Sequence, residues 1–237
     1  VTESRMPLLA HLGELRRRLL IAAVAVLFAS LVGYFFNSWS FDLLVEPYQT
    51  ATGQDSLNVF EVGEAFSITM KLSLFAGILL SSPVWVYQIW AFVGPALNRR
   101  ERRWVIPLSV LLAALFGAGV WFAYWTLPRA LSWLLGFGDD RLTPVLGVSK
   151  YFDFALRYLG AFGIAFEFPV FLFAAGLAGI VSSRQLRRGR RWAVLIMVVA
   201  GAAITPGGDP LTLVLLAVPL YLMYEATILA VRFLAKR

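Results

Sequence analysis

The sequence predicts an all-α integral membrane protein of six crossing helices, with both termini on the cytoplasmic side. Three observations carry this. The 237 residues are 59% hydrophobic with a mean hydropathy of +0.75, well above the roughly 45–50% of ordinary soluble domains. Apolar runs of about 20 residues recur, the length a helix needs to cross a hydrocarbon core about 30 Å thick. The segments between the runs alternate between basic and acidic.

The runs place spans at about 19–39, 65–92, 104–126, 151–180, 192–206 and 210–232 of one membrane domain. Ahead of the first, Met6–Leu19 reads as a cytoplasmic interfacial amphipathic helix over 1–18. Leu8, Leu12, Leu15 and Leu19 share one face, with His11, Glu14 and Arg18 on another. Glu14 there has Arg17 and Arg18 in reach at i+3 and i+4. After the first span, 40–64 holds Asp42, Glu46, Asp55, Glu61 and Glu64 with no Lys or Arg. It predicts a long extracytoplasmic cap containing Pro47. The loop at 93–103 is basic through Arg99, Arg100, Arg102 and Arg103, with Glu101 among them. The next connection, 127–150, is mixed, and 181–191 is basic again. The turn at 205–210 carries only Asp209, and the tail ends Arg232, Lys236, Arg237. Basic segments stay on the cytoplasmic side, which fixes the orientation and accounts for the net charge of +7. Lipid headgroups rather than nucleic acid are the partner of such placement.

The last hairpin predicts short fifth and sixth spans. Trp192–Ile204 is an apolar run of ~20 Å at 1.5 Å per residue, and Glu225 interrupts the sixth. Such a hairpin thins the bilayer or is sheltered by other proteins; alternatively Trp192 and its flanking arginines snorkel to make up the length. Glu225 has Arg232 as a snorkelling partner.

Glu167 stands alone in Leu159–Phe173, with no cation within nine residues on either side. A carboxylate in hydrocarbon costs roughly 2.5–3.5 kcal/mol on insertion scales, which marks an internal polar site. The plainer reading is a protonated carboxyl bonded to helix backbone. Catalytic readings find no complement. Gly136-Phe-Gly-Asp139 matches an intramembrane aspartyl protease string but lies in a loop, without a second aspartate inside a facing span. The only histidine, His11, is interfacial, no lysine sits deep in a span, and no usual zinc set or phosphate loop occurs. No enzyme, cofactor or metal is expected.

Five blocks in order resemble the TatC family, the multispanning core subunit of the twin-arginine translocase. They are His11-Leu-Gly-Glu14-Leu-Arg16-Arg-Arg-Leu19; Lys71 through Pro83 and Tyr87-Gln88-Ile-Trp90; Phe92-Val-Gly-Pro95-Ala-Leu97 with Glu101-Arg102; Phe162-Gly163 through Glu167-Phe-Pro169; and Thr205-Pro206 with Asp209, Pro219 and Glu225. The resemblance covers Met6 to about Ala230. It implies a receptor for the paired-arginine signal peptides of folded precursors, in a bacterial cytoplasmic (inner) membrane, driven by the proton gradient. It implies a signal-peptide site drawn from Glu14, Arg16, Phe92, Pro95, Leu97 and Glu101. It also implies contact of Glu167 with the single-span subunits TatA and TatB or with the signal hairpin, in a homo- and hetero-oligomer, and a periplasmic role for Pro47 and Asp209. One departure stands out: Thr205-Pro-Gly-Gly-Asp209-Pro replaces the family's tighter Thr-Pro-Pro-Asp followed by Ser-Gln. A proton- or cation-coupled small-solute transporter using Glu167 is the alternative; no internal repeat of the kind such folds carry is evident.

Overall fold

The computed structural model describes residues 8–93, 105–136, 146–204 and 209–234. These form nine helices: α1 Leu8–Phe35, α2 Asn37–Thr52, α3 Glu64–Leu80, α4 Ser82–Val93, α5 Val105–Leu135, α6 Val148–Leu177, α7 Ser183–Arg188, α8 Arg190–Ile204 and α9 Pro210–Leu234. Strand pairing among the described residues is limited to one bridge, Asn58 to Gly147. Among the described residues four helices, α1, α5, α6 and α9, are long and apolar enough to cross a membrane, and the bent pair α3–α4 makes a fifth when taken as one span.

Several predicted boundaries change. No separate interfacial helix ends at 18, because α1 runs unbroken from Leu8 to Phe35. Arg16–Arg18 and the leucines are strong helix formers, and Gly13 alone does not break the run. The second span is not one rod. It bends by 57° between α3 and α4. Pro83 has no N–H for the carbonyl of Leu79 and its ring crowds that carbonyl. The break is closed locally: Ser81 donates its N–H and Oγ–H to Gly77 O at 3.0 and 2.6 Å, and the Trp85 indole donates to Ile78 O at 3.0 Å.

The 40–64 segment is mostly helix. Pro47 is not in a turn but inside α2, buried, and α2 ends at Gly53 with φ +67°, the left-handed conformation that glycine adopts without strain. α2 nonetheless lies over α5 and α6: Tyr124 Oη donates to Glu46 Oε2 at 2.9 Å and Tyr151 Oη donates to the Leu44 carbonyl. α5 continues nine residues past the expected end at 126, through Pro128, since one interior proline removes only one ladder bond. The basic 181–191 connection contains α7, started by a Ser182–Gln185 capping box. α8 is short, 15 residues. α9 is not: its 25 residues pass through Glu225 without a break.

The core lies where α5 and α6 cross. A Cβ built at Gly119 would stand 2.6 Å from Phe162 O, and one at Gly163 would stand 2.7 Å from the Phe116 ring. Small residues there let two backbones touch, the usual device where lipid supplies no hydrophobic drive between helices. Phe116, Tyr151, Phe152, Tyr158 and Phe162 fill the space around the crossing and are almost wholly buried. α1, by contrast, is held mainly along one edge, and Leu27, Phe28 and Leu31 point outward.

Candidate functional site

Two acidic positions organise the molecule, one near the start of α1 and one within α6. Glu14 is in the second turn of α1. Its Oε1 accepts from Arg18 Nε at 2.9 Å and from Arg18 Nη2 at 2.5 Å. The i, i+4 spacing puts both on one helix face, and Arg18 is the partner of the two that were in reach. Arg18 Nη1 also donates to Gln88 Oε1 on α4 at 3.4 Å. Thus Glu14 is held against the α4 face that carries Gln88 and, one turn further, half-buried Phe92. Arg16 is exposed beside it. Trp90, between Gln88 and Phe92, is 3% exposed and stacks on Phe171 of α6 at 5.8 Å, which fixes the direction in which α4 leaves the bundle. Pro95, Leu97 and Glu101 lie outside the described residues.

Glu167 is 7% exposed, on the α6 turn before Phe171. Its Oε1 is buried and has no hydrogen-bond partner among the described residues, so the backbone-bonded reading does not hold for that oxygen. It borders a cavity of about 250 Å³ whose other walls are Phe168 and Phe171 of α6, Met197 and Ala200 of α8, and Leu216 and Leu220 of α9. An apolar cavity with one uncompensated carboxyl oxygen is costly, about 1–3 kcal/mol for a buried unmade hydrogen bond. It suits an incoming donor.

The remaining predicted residues have structural partners. Asp209 is 5% exposed and caps α9: Thr212 N and Oγ1 donate to its Oδ1 and Oδ2 at 2.8 and 2.6 Å. Glu225 pairs not with Arg232 but with Arg190, through Nε to Oε1 at 2.7 Å and Nη2 to Oε2 at 2.8 Å. The pair ties the start of α8 to α9, as Tyr224 Oη donating to Leu186 O at 2.8 Å ties α7 to α9. Arg232 lies instead over the Phe233 ring at 5.9 Å.

Sequence reasoning missed one ion pair. Lys71 Nζ donates to Asp153 Oδ1 at 2.6 Å, joining α3 to α6. Asp153 is the sixth residue of α6 and Lys71 the eighth of α3. The available signal was that each sits in the first turns of an apolar run, with opposite charge on helices starting from the same side.

Residues 10–219 match the TatC family, described as Sec-independent protein translocase protein (TatC). The Sec-independent protein translocase protein TatC of Aquifex aeolicus is 42% identical over 94% of this chain and 93% of its own length. That of Carboxydothermus hydrogenoformans is 34% identical over 97% and 94%. That of Frankia casuarinae is 39% identical over 97% of this chain, which spans 66% of that longer relative. Two crystal structures of the twin arginine translocase receptor TatC, one in DDM, superpose with TM-scores of 0.78 and 0.80 at 40% identity, covering 96% of this chain and all of theirs. With sequence match over most of its length and the same arrangement of helices, the chain belongs to the TatC family of Sec-independent protein translocase proteins.

Proposed function

We propose that this chain receives paired-arginine signal peptides at the cytoplasmic face and docks single-span partner subunits at Glu167. As a member of a translocase family it is a transport protein rather than an enzyme, a multi-pass protein of the membrane. The comparisons give no support to the solute-transporter alternative. The crossings are α1, α3–α4, α5, α6, α8 and α9, with both termini cytoplasmic. The arginines of α1, the 93–103 loop, α7 and the start of α8 then lie on one side, and the acidic residues of 40–64 on the other.

The observation that carries the receptor reading is the carboxylate of Glu14 held at the α1–α4 junction within a rim of arginines. An arginine guanidinium pairs with carboxylate in a planar fork that lysine cannot copy. Two adjacent arginines call for two acceptors, and Glu101 in the loop following α4 supplies the second. Arg16, Arg17 and Arg99–Arg103 repel a cationic peptide everywhere else, so the two carboxylates are the attractive points on a repulsive rim. Arg18 occupies Glu14 in the free protein and is the cation that an incoming arginine displaces. Phe92, Pro95 and Leu97 supply the apolar wall for the residues after the arginine pair. Glu167 receives a polar group of a TatA- or TatB-like transmembrane helix, or of the inserted signal hairpin.

The test is titration of a twin-arginine peptide against purified full chain. Glu14→Ala and Glu101→Ala each lose binding, as does replacing the peptide's arginine pair by two lysines. Unchanged affinity in both variants overturns the assignment.

A further inference from the structure

At the start of α6, Lys150, Asp153 and Arg157 fall at i, i+3 and i+7, on one helix face. Lys150 and Arg157 are exposed. Asp153 accepts from Lys71 Nζ at 2.6 Å, so this part of the α3–α6 face carries three cations and one carboxylate. α3 and α6 run side by side from the same end here: four residues beyond Lys71, the Phe75 ring lies 3.8 Å from a Cβ built at Gly160. Glu64, two turns before Lys71, accepts from the Phe60 N–H at 3.0 Å and stands ~10 Å along the helix from Lys71, outside the cluster.

Two long uncharged stretches set the depth of the cluster. Lys71 immediately precedes Leu72–Val93, which contains no charged residue, and Arg157 immediately precedes Tyr158–Leu177, in which Glu167 is the only one. Twenty helical residues measure ~30 Å, the thickness of the hydrocarbon layer. Tyr158 Oη and Thr126 Oγ1 are 3.0 Å apart. The neighbouring Trp125 carries the guanidinium of Arg129 over its ring at 4.4 Å, an arrangement typical of the membrane interface. Lys71 and Arg157 are therefore level with an aromatic belt, at the depth of lipid phosphates. Below them runs a shallow apolar strip, Leu74, Gly160 and Ile164, whose leucine and isoleucine are 48% and 61% exposed.

We infer that the α3–α6 face binds an anionic phospholipid of the non-cytoplasmic leaflet, its phosphate held by Lys71, Lys150 and Arg157 and an acyl chain laid along the strip. The leaflet rests on the proposed orientation; the binding itself does not depend on it. Asp153 fixes the Lys71 ammonium and leaves a net charge of two positive units. A phosphate with a neutral headgroup offsets one of these units, whereas a choline would bring a further cation against Lys150.

The experiment uses the purified full chain in micelles containing phosphatidylglycerol or phosphatidylcholine, with retained lipid read by native mass spectrometry. The most tightly held lipid is phosphatidylglycerol. Lys150→Gln with Arg157→Gln lowers its occupancy about tenfold or more, and Arg157→Lys largely keeps it. Arg129→Gln, at the same depth but off this face, leaves it unchanged. Thermal unfolding and twin-arginine peptide binding stay as in the wild type, which separates loss of the lipid from loss of the fold or of the receptor function. Equal retention of the two lipids by the wild type, or undiminished phosphatidylglycerol in the double variant, overturns the inference. Capture of an acidic transmembrane peptide on this face in place of lipid overturns it as well.

Discussion

Glu167 carries a cost to stability that the proposed docking role would repay. Its Oε1 is buried with no partner among the described residues, and the walls around it are apolar. An unmet buried polar atom costs about 1–3 kcal/mol, and replacing it by an apolar group of similar shape removes that cost. Glu167→Leu therefore makes the isolated chain more stable in detergent, by roughly 1–2 kcal/mol, while abolishing co-purification of the single-span partners. A thermal unfolding curve and a pull-down on the same preparation check both halves. A leucine variant that melts lower, or that still captures partners fully, refutes the account. That Glu167 stands as a lone carboxyl in an apolar run was readable from the sequence, since no cation lies near it in the chain. That its oxygen would be orphaned was not readable, because the facing walls of its cavity come from α8 and α9, thirty to fifty residues away.

At the scale of elements, the α5–α6 crossing depends on the absence of two side chains. Gly119 meets a backbone carbonyl, Phe162 O, at 2.6 Å from its built Cβ, whereas nothing lies within 4 Å of Gly117, two residues earlier on the same helix. A carbonyl cannot rotate away as a side chain can, so the helices must part. Gly119→Ala is expected to destabilise by about 1–3 kcal/mol. Gly117→Ala is neutral or stabilising by up to about 1 kcal/mol through helix propensity. Paired melting curves decide it, and equal effects of the two changes would contradict the close approach. The contrast explains what was legible here. Periodicity and run length locate α5 and α6 to within a few residues at most ends, because those signals are local. Which glycine is structural depends on the helix that crosses it. The bend at Ser81 was written in Pro83, yet a proline within an apolar run also fits an unbent span, as Pro169 and Pro219 inside α6 and α9 show. Pro47 and Pro128 likewise sit within helices where turn chemistry was the simpler expectation.

Across the whole molecule, the helices differ in length in a way that bears on transport. α5 and α6 have 31 and 30 residues, whereas α8 has 15, or ~22 Å against a hydrocarbon layer of about 30 Å. α9 is long enough, so only one member of the hairpin is short. Arg190 at the start of α8 is fixed to Glu225 and cannot slide outward along α9, and Asp209 caps α9 at the other end. Arg190 thus ties the start of α8 to a longer helix, and on the proposed six-crossing topology a shortfall of ~8 Å is left for the lipid to meet. A bilayer thinned beside the cavity of Glu167 would ease the passage of a folded protein at the place where partner subunits are proposed to dock. Inserting four leucines after Val198 lengthens α8 by ~6 Å, about one turn, and removes most of the mismatch. α8 packs mainly on α7 and α9, whereas Glu14 sits at the α1–α4 junction, so twin-arginine peptide binding is retained. Export of a folded precursor by vesicles carrying the lengthened chain should fall at least about tenfold, with partner capture measured alongside to separate loss of thinning from loss of docking. Full export by the lengthened chain would show that α8 is short for packing alone, and that local thinning has no part in translocation.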